Sequence, residues 1–211
     1  MNPLDPILTV FAGMAVVMTT AWIVQLGTRN GGWVDVFWTF GAGAACVTAA
    51  LWPAPAEDQA RQYLVAGLAA IWSLRLGSYI AHRVAKDKHE DRRYSGLRTE
   101  WGGAFQRNMY VLCIVQAPAA ALLALSVFVA GHGGTDGLGL RDALGAAMLV
   151  IGIMGEGIAD EQMRRYRLTA ESGGVMDKGL WAWSRHPNYF FEWVVWLAYP
   201  VIAFDPAAAW S

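Results

Sequence analysis

Cysteine is scarce in this 211-residue chain. Only Cys46 and Cys113 occur, both inside apolar runs, which suits small buried hydrophobes better than a disulfide or a metal pair. His82, His89 and His132 show no metal spacing with one another or with the cysteines, and no Glu-x-x-His element occurs. Zinc and di-iron centres are therefore not expected. The glycine-rich dinucleotide fingerprint and the P-loop are also missing. Any nucleotide would have to be held by something other than a Rossmann or P-loop fold. Charge is sparse as well: 16% of residues are charged, against about a quarter in an average soluble domain. A net charge of −1 without a concentrated basic tail gives no case for nucleic acid as a partner. Met1 to Pro6 lacks a basic n-region, so the first apolar run is expected to be a retained span rather than a cleaved signal peptide. No repeat, low-complexity tract or linker divides residues 1–211, which are expected to form a single multi-span domain.

What is abundant is apolar surface. Hydrophobic residues make up 55% of the chain, with 11 tryptophans, and they come in blocks of membrane-spanning length. The expected fold is an all-α integral membrane protein with about six transmembrane helices. Their approximate bounds are 7–26, 33–52, 63–82, 108–130, 143–158 and 188–204. A long polar segment, 83–107, is expected as a loop after the third. The fifth flows into a charged helical stretch, Ala159 to Thr169. Of 16 Lys and Arg, 13 fall in the loops after the first, third and fifth spans, only Arg61 and Arg141 fall in the others, and Arg75 is inside a span. The positive-inside rule then places the N-terminus outside and the basic loops in the cytoplasm.

A charge near the bilayer centre costs a few kcal/mol or more, so each one needs a reason. Asp35 lies near the start of the second span, where it either reaches the interface or serves a site. Arg75 lies about seven residues from the end of the third, roughly 10 Å deep, where a carboxylate partner or snorkelling would accommodate it. Glu156 and Asp160 share a helical face with Arg164 one turn further, either as an interfacial ladder or as a polar stripe entering a cavity. The stripe would continue through Asn188 and Glu192 in the next span.

Those last two residues belong to the most distinctive stretch, Gly179-Leu180-Trp181-Ala182-Trp183-Ser184-Arg185-His186-Pro187-Asn188-Tyr189-Phe190-Phe191-Glu192. Pro187 suits the first position of a helix, which would set Asn188 and Glu192 on one face with Arg185 and His186 at its mouth. On the same membrane side lie Arg92, Arg93, Tyr94, Arg98, Arg164, Arg165 and Arg167. Guanidinium clusters suit phosphate or carboxylate groups; anionic lipid headgroups are the alternative ligand.

This hinge, preceded by Ala159-Asp160-Glu161-Gln162, resembles the steroid 5α-reductase-related family and, more narrowly, the bacterial DUF1295 membrane proteins. Val34-Asp35-Val36-Phe37-Trp38, Leu74-Arg75-Leu76 and Glu90-Asp91-Arg92-Arg93-Tyr94 are similar to the same subgroup, and the likeness runs from about Trp33 to Pro200. The resemblance implies a membrane reductase that moves hydride from NADPH to the β-carbon of an α,β-unsaturated ketone, with the apolar, steroid-like or other lipid substrate drawn from the bilayer. It also implies that Arg75, Asp160, Asn188 and Glu192 contact the cofactor. Glu156 falls where steroid reductases carry an Asn. Asp35 lies where the family has an acidic residue that hydrogen-bonds the substrate ketone, and a family Tyr falls at Trp72. On this reading a protonated Asp35 donates to the developing oxyanion, Arg75 and the loop arginines hold phosphates, and Asn188 and Glu192 orient the ring or ribose. Family members continue into a further helix and a polar tail, whereas this sequence stops at Ser211, so a truncated chain or an incomplete cofactor site is expected.

Arg-His-Pro followed by an aromatic residue and Glu is also shared with S-adenosylmethionine-dependent membrane methyltransferases of the isoprenylcysteine and phospholipid type, the second reading. A non-enzymatic lipid-binding protein descended from such an enzyme is the third.

Overall fold

The computed structural model describes residues 4–53, 59–87, 89–133, 137–169 and 174–204. Among them every regular element is helical: α1 (Leu4–Thr28), α2 (Gly32–Ala50), α3 (Ala60–Lys86), α4 (Arg92–Trp101), α5 (Phe105–Ile114), α6 (Gln116–His132), α7 (Leu140–Thr169) and α8 (Pro187–Ala203), with 3-10 turns at Gly102–Ala104 and Gly179–Ala182. Five segments are long and apolar enough to cross a membrane: α1, α2, α3, the run Arg92–His132 and α7. Large side chains such as Leu8, Val16, Ile23, Leu122 and Ile151 are exposed on them. In lipid that surface needs no cover, and helices that keep their backbone bonds internal are one of the few ways to cross it. The chain is an all-α integral membrane protein. α8 has 17 residues, about 25 Å of helix against a hydrocarbon core of about 30 Å.

Two expectations about the middle of the chain need correcting. The segment 83–107 is not a loop, because α3 runs on to Lys86 and ten of its residues form α4. Asp91 caps α4 by accepting from the Arg93 N–H at 3.0 Å, as a short side chain at that position should. Gly102, at φ +48°, ends it in the region glycine tolerates best. The fourth span is also broken: α5 stops at Ile114 and α6 starts at Gln116. Pro118 accounts for the break, since its ring crowds the carbonyl four residues back and it has no N–H to donate.

By contacts the chain forms two compact units, Met1–Thr135 and Asp136–Ser211. In the first, α2 packs against α1, α3 and α6. Its buried face is made of small residues, among them Gly41, Ala42, Gly43, Ala45, Cys46 and Ala49. A Cβ on Gly43 would run into the Ser73 side chain of α3, and one on Gly77 would lie 2.7 Å from the Phe40 ring. This is how membrane helices associate when apolar lipid offers no hydrophobic drive: small residues let backbones approach. Both cysteines are free and buried.

The second unit is the α7–α8 pair. A Cβ on Gly145 or Gly155 would meet Ile202 or the Phe191 ring, and one on Gly152 would lie 2.9 Å from the Phe191 carbonyl oxygen. The register is antiparallel and the helices nearly touch.

Candidate functional site

In the first unit a polar network gathers where α2 begins. Asp35, in the first turn of α2, accepts from the Tyr94 hydroxyl at 2.7 Å through Oδ1 and from the Arg93 guanidinium at 2.6 Å through Oδ2. Arg93 also donates to Asp91 at 3.2 Å, and Asp91 lies 3.7 Å from Arg83. Burial alone would raise the Asp91 pKa, but the Arg93 N–H, the Arg93 guanidinium and Arg83 outweigh it and hold the carboxyl below its ordinary value. Glu90 completes the network: it accepts from the Gly31 N–H at 2.8 Å and takes both Nε and Nη2 of Arg98, at 3.0 and 2.8 Å. Arg98 in turn lies 4.1 Å over the Phe105 ring. Tyr94 is buried, at 6% exposure, and its ring occupies the space a side chain at position 31 would need. A glycine there is what lets the phenol reach Asp35.

Both Asp35 oxygens thus serve as acceptors, and the hydroxyl donor beside them belongs to Tyr94. Arg92 opens α4, exposed, with no hydrogen-bond or ion-pair partner for its side chain among the described residues. Arg75 is half-buried on α3 with its guanidinium 5.7 Å from the Tyr79 ring centroid. Trp72, where the family Tyr was expected, is fully buried.

In the second unit Glu156 and Asp160 are both buried on α7, at 4% and 8% exposure. Gly155 faces Phe191 and Gly152 faces Val195, so the register sets Asn188 between the levels of Glu156 and Asp160. Asn188 Oδ1 is buried without a hydrogen-bond partner among the described residues. Glu192, one turn on, accepts from the Trp196 indole N–H at 2.9 Å. Arg164 does not extend the stripe as a free cation. It is exposed and grips Glu161 through two bonds of 2.6 and 2.8 Å, while Arg165 donates to the same carboxylate at 2.6 Å.

The hinge is clipped to α7 by two residues whose roles the residue pattern did not suggest. Gln162 Oε1 accepts from the Leu180 N–H at 3.0 Å, and the Trp181 indole donates to the Ala159 carbonyl at 2.9 Å. Gly179, at φ +61°, makes the turn that brings them there. Pro187 opens α8 as expected. Arg185 and His186 are exposed just before it, with the His186 ring 5.4 Å from that of Tyr189.

The expected arginine cluster is therefore largely engaged. Arg93, Arg98, Arg164 and Arg165 are bound to carboxylates. Arg92, Arg167 and Arg185 have side chains without such partners among the described residues. Also among those residues, no group of three or more His, Cys, Asp or Glu is placed to hold a metal ion.

No curated protein and no solved structure matches the chain. A family model does, and it spans both polar clusters. Residues 21–210 match the family described as protein of unknown function DUF1295, and the chain belongs to that family.

Proposed function

We propose that this protein is a membrane-embedded, NADPH-dependent reductase of an α,β-unsaturated ketone or a related lipid double bond, acting on an apolar substrate drawn from the bilayer. The observation that carries this reading is the buried Tyr94 hydroxyl held 2.7 Å from Asp35, with Arg93 at 2.6 Å on the other oxygen. Hydride addition to the β-carbon of an enone pushes the double-bond electrons onto the carbonyl oxygen. A fixed donor in a dry site stabilises that developing charge. The one proton of the Tyr94 phenol rests on Asp35 Oδ1, so Tyr94 becomes that donor when its O–H turns to the substrate oxygen, while Arg93 stays on the carboxylate it leaves. The resemblance to the steroid 5α-reductase-related family points the same way.

The residues fit a nicotinamide nucleotide. Asn188 Oδ1 is a buried acceptor awaiting a donor, at the level of the buried carboxyls Glu156 and Asp160. Acceptors of this kind suit ribose hydroxyls and a carboxamide N–H. In the same unit Arg185 keeps a guanidinium available for phosphate. When bound, NADPH supplies the hydride.

Methyl transfer from S-adenosylmethionine is the second reading. It builds no oxyanion that would use the phenol, so Tyr94 favours reduction. The test is to add NADPH and S-adenosylmethionine separately to the detergent-purified protein and follow its melting temperature, which a ligand of the folded state raises. A shift with NADPH alone, lost in Asp160→Ala and Glu192→Ala, together with enone-dependent loss of the 340 nm absorbance, is the expected result. A shift with the methyl donor alone would transfer the assignment to methyl transfer. No shift with either would leave a lipid-binding protein without this chemistry.

A further inference from the structure

α7 carries a second feature that does not depend on the reductase reading. A groove of about 510 Å³ is lined by Met154, Gly157, Ile158, Glu161, Gln162 and Arg165. Met154 and Ile158 are 61% and 50% exposed, and Gly157 leaves a notch between them. The polar residues gather at one end. From Met154 to Arg165 the helix rises about 16 Å, close to half of a hydrocarbon core about 30 Å thick. The groove thus has the length of one leaflet, apolar towards the middle and polar at the rim.

The polar end is cationic. On this end of α7 the charges that are not buried are one carboxylate, Glu161, and the guanidiniums of Arg164, Arg165 and Arg167; Glu161 and Arg165 line the groove itself. Glu161 is occupied by Arg164 and by the Nε of Arg165, which leaves both terminal nitrogens of Arg165 without a partner among the described residues. Gln162 is held by its Oε1, which accepts from the Leu180 N–H, so its Nε2 remains a donor at the groove. Two donors, one of them charged, stand at the end of an apolar slot.

We propose that this groove is a binding site for an anionic phospholipid. One acyl chain lies along Met154, Gly157 and Ile158, and the phosphate sits between the Arg165 guanidinium and Gln162 Nε2. A free anion would gain nothing from the apolar wall. A zwitterionic lipid would bring a second cation to a rim that already has an excess of positive charge. Arg165 then acts at the lipid surface rather than on a nucleotide phosphate.

The test uses the whole protein in dodecyl maltoside, titrated with phosphatidylglycerol, phosphatidylcholine or inorganic phosphate. Phosphatidylglycerol is expected to raise the melting temperature by about 5 °C at saturation, phosphatidylcholine by less than half of that, and phosphate not at all. Arg165→Gln should erase the difference between the two lipids, and Gly157→Leu, which fills the notch, should reduce both shifts. An equal shift with phosphate would overturn the lipid assignment. So would a phosphatidylglycerol shift that survives both substitutions. A nitroxide attached to Ile158→Cys gives an independent readout, because Cys46 and Cys113 are buried. Its mobility should fall at least twofold with phosphatidylglycerol, and an unchanged spectrum would sink the proposal even if the other variants fail to fold.

Discussion

The Tyr94 hydroxyl donates to Asp35 across 2.7 Å and so ties α4 to the first turn of α2. The two residues are 59 positions apart, and Gly31 makes room for the ring that joins them. Tyr94→Phe removes one hydrogen bond and keeps the ring. It should cost about 1 kcal/mol of stability. If the phenol is the oxyanion donor, enone reduction should fall about 10²–10³-fold in kcat while the NADPH-induced thermal shift stays as in wild type. Equal loss of both would make Tyr94 a structural support and no more.

The membrane class was legible because the apolar blocks exceed what any soluble helix needs and the basic residues cluster between alternate blocks. Pro187 likewise announced where α8 begins. The 83–107 segment reads as a loop for a physical reason: α4 is polar on most of its surface, so charge hides a helix marked by its Asp91 cap and Gly102 terminus. Pro118 carried its own signal for the break at Val115, masked by the unbroken apolar run around it. What no pattern encodes is pairing at a distance. Glu90 with Gly31, Tyr94 with Asp35 and Trp181 with Ala159 are contacts set by packing. Asp35 is a case in point: its neighbours in sequence are apolar, but its neighbours in space are a phenol and a guanidinium.

Acid should loosen the α4 cap. Asp91 titrates below its ordinary value of 3.8 in the folded protein. A depressed folded pKa means a stabilising contribution that is complete above the unfolded value and disappears as pH falls through the folded one. Asn caps a helix about as well as Asp but cannot titrate or pair with Arg93 and Arg83. Melting curves of wild type and Asp91→Asn between pH 6 and pH 3 should therefore differ most above about pH 4 and converge below it. Parallel curves across that range would show that the cap and its ion pairs are not linked to folding.

The hinge should open before the helices do. Trp181→Phe keeps an aromatic ring and removes the indole bond to the Ala159 carbonyl, a loss of about 1 kcal/mol confined to the clip. Limited trypsin digestion should then cut after Arg185 several-fold faster, with the global melting temperature lowered by no more than about 3 °C. Unchanged cleavage would mean that Gln162 alone holds the hinge.

The α7–α8 contact makes a graded prediction for single methyl groups. At Gly155 an added Cβ meets the Phe191 ring, a side chain that can turn aside; at Gly152 it meets the Phe191 carbonyl oxygen at 2.9 Å and the Val195 nitrogen at 3.0 Å, which are backbone and cannot move without shifting α8. Gly67 has nothing within 4 Å, so alanine there gains helix propensity without a clash. In thermal melts of the detergent-solubilised protein, Gly67→Ala should be neutral or stabilising by up to about 1 kcal/mol. Gly155→Ala should lose about 1 kcal/mol, and Gly152→Ala about 2–3 kcal/mol. α8 carries Asn188 and Glu192, so Gly152→Ala should also weaken the NADPH-induced shift, which Gly67→Ala should leave intact. If Gly152→Ala is the mildest of the three, the helices do not approach as closely as their glycines allow, and the register that brings Asn188 level with Glu156 and Asp160 fails with it.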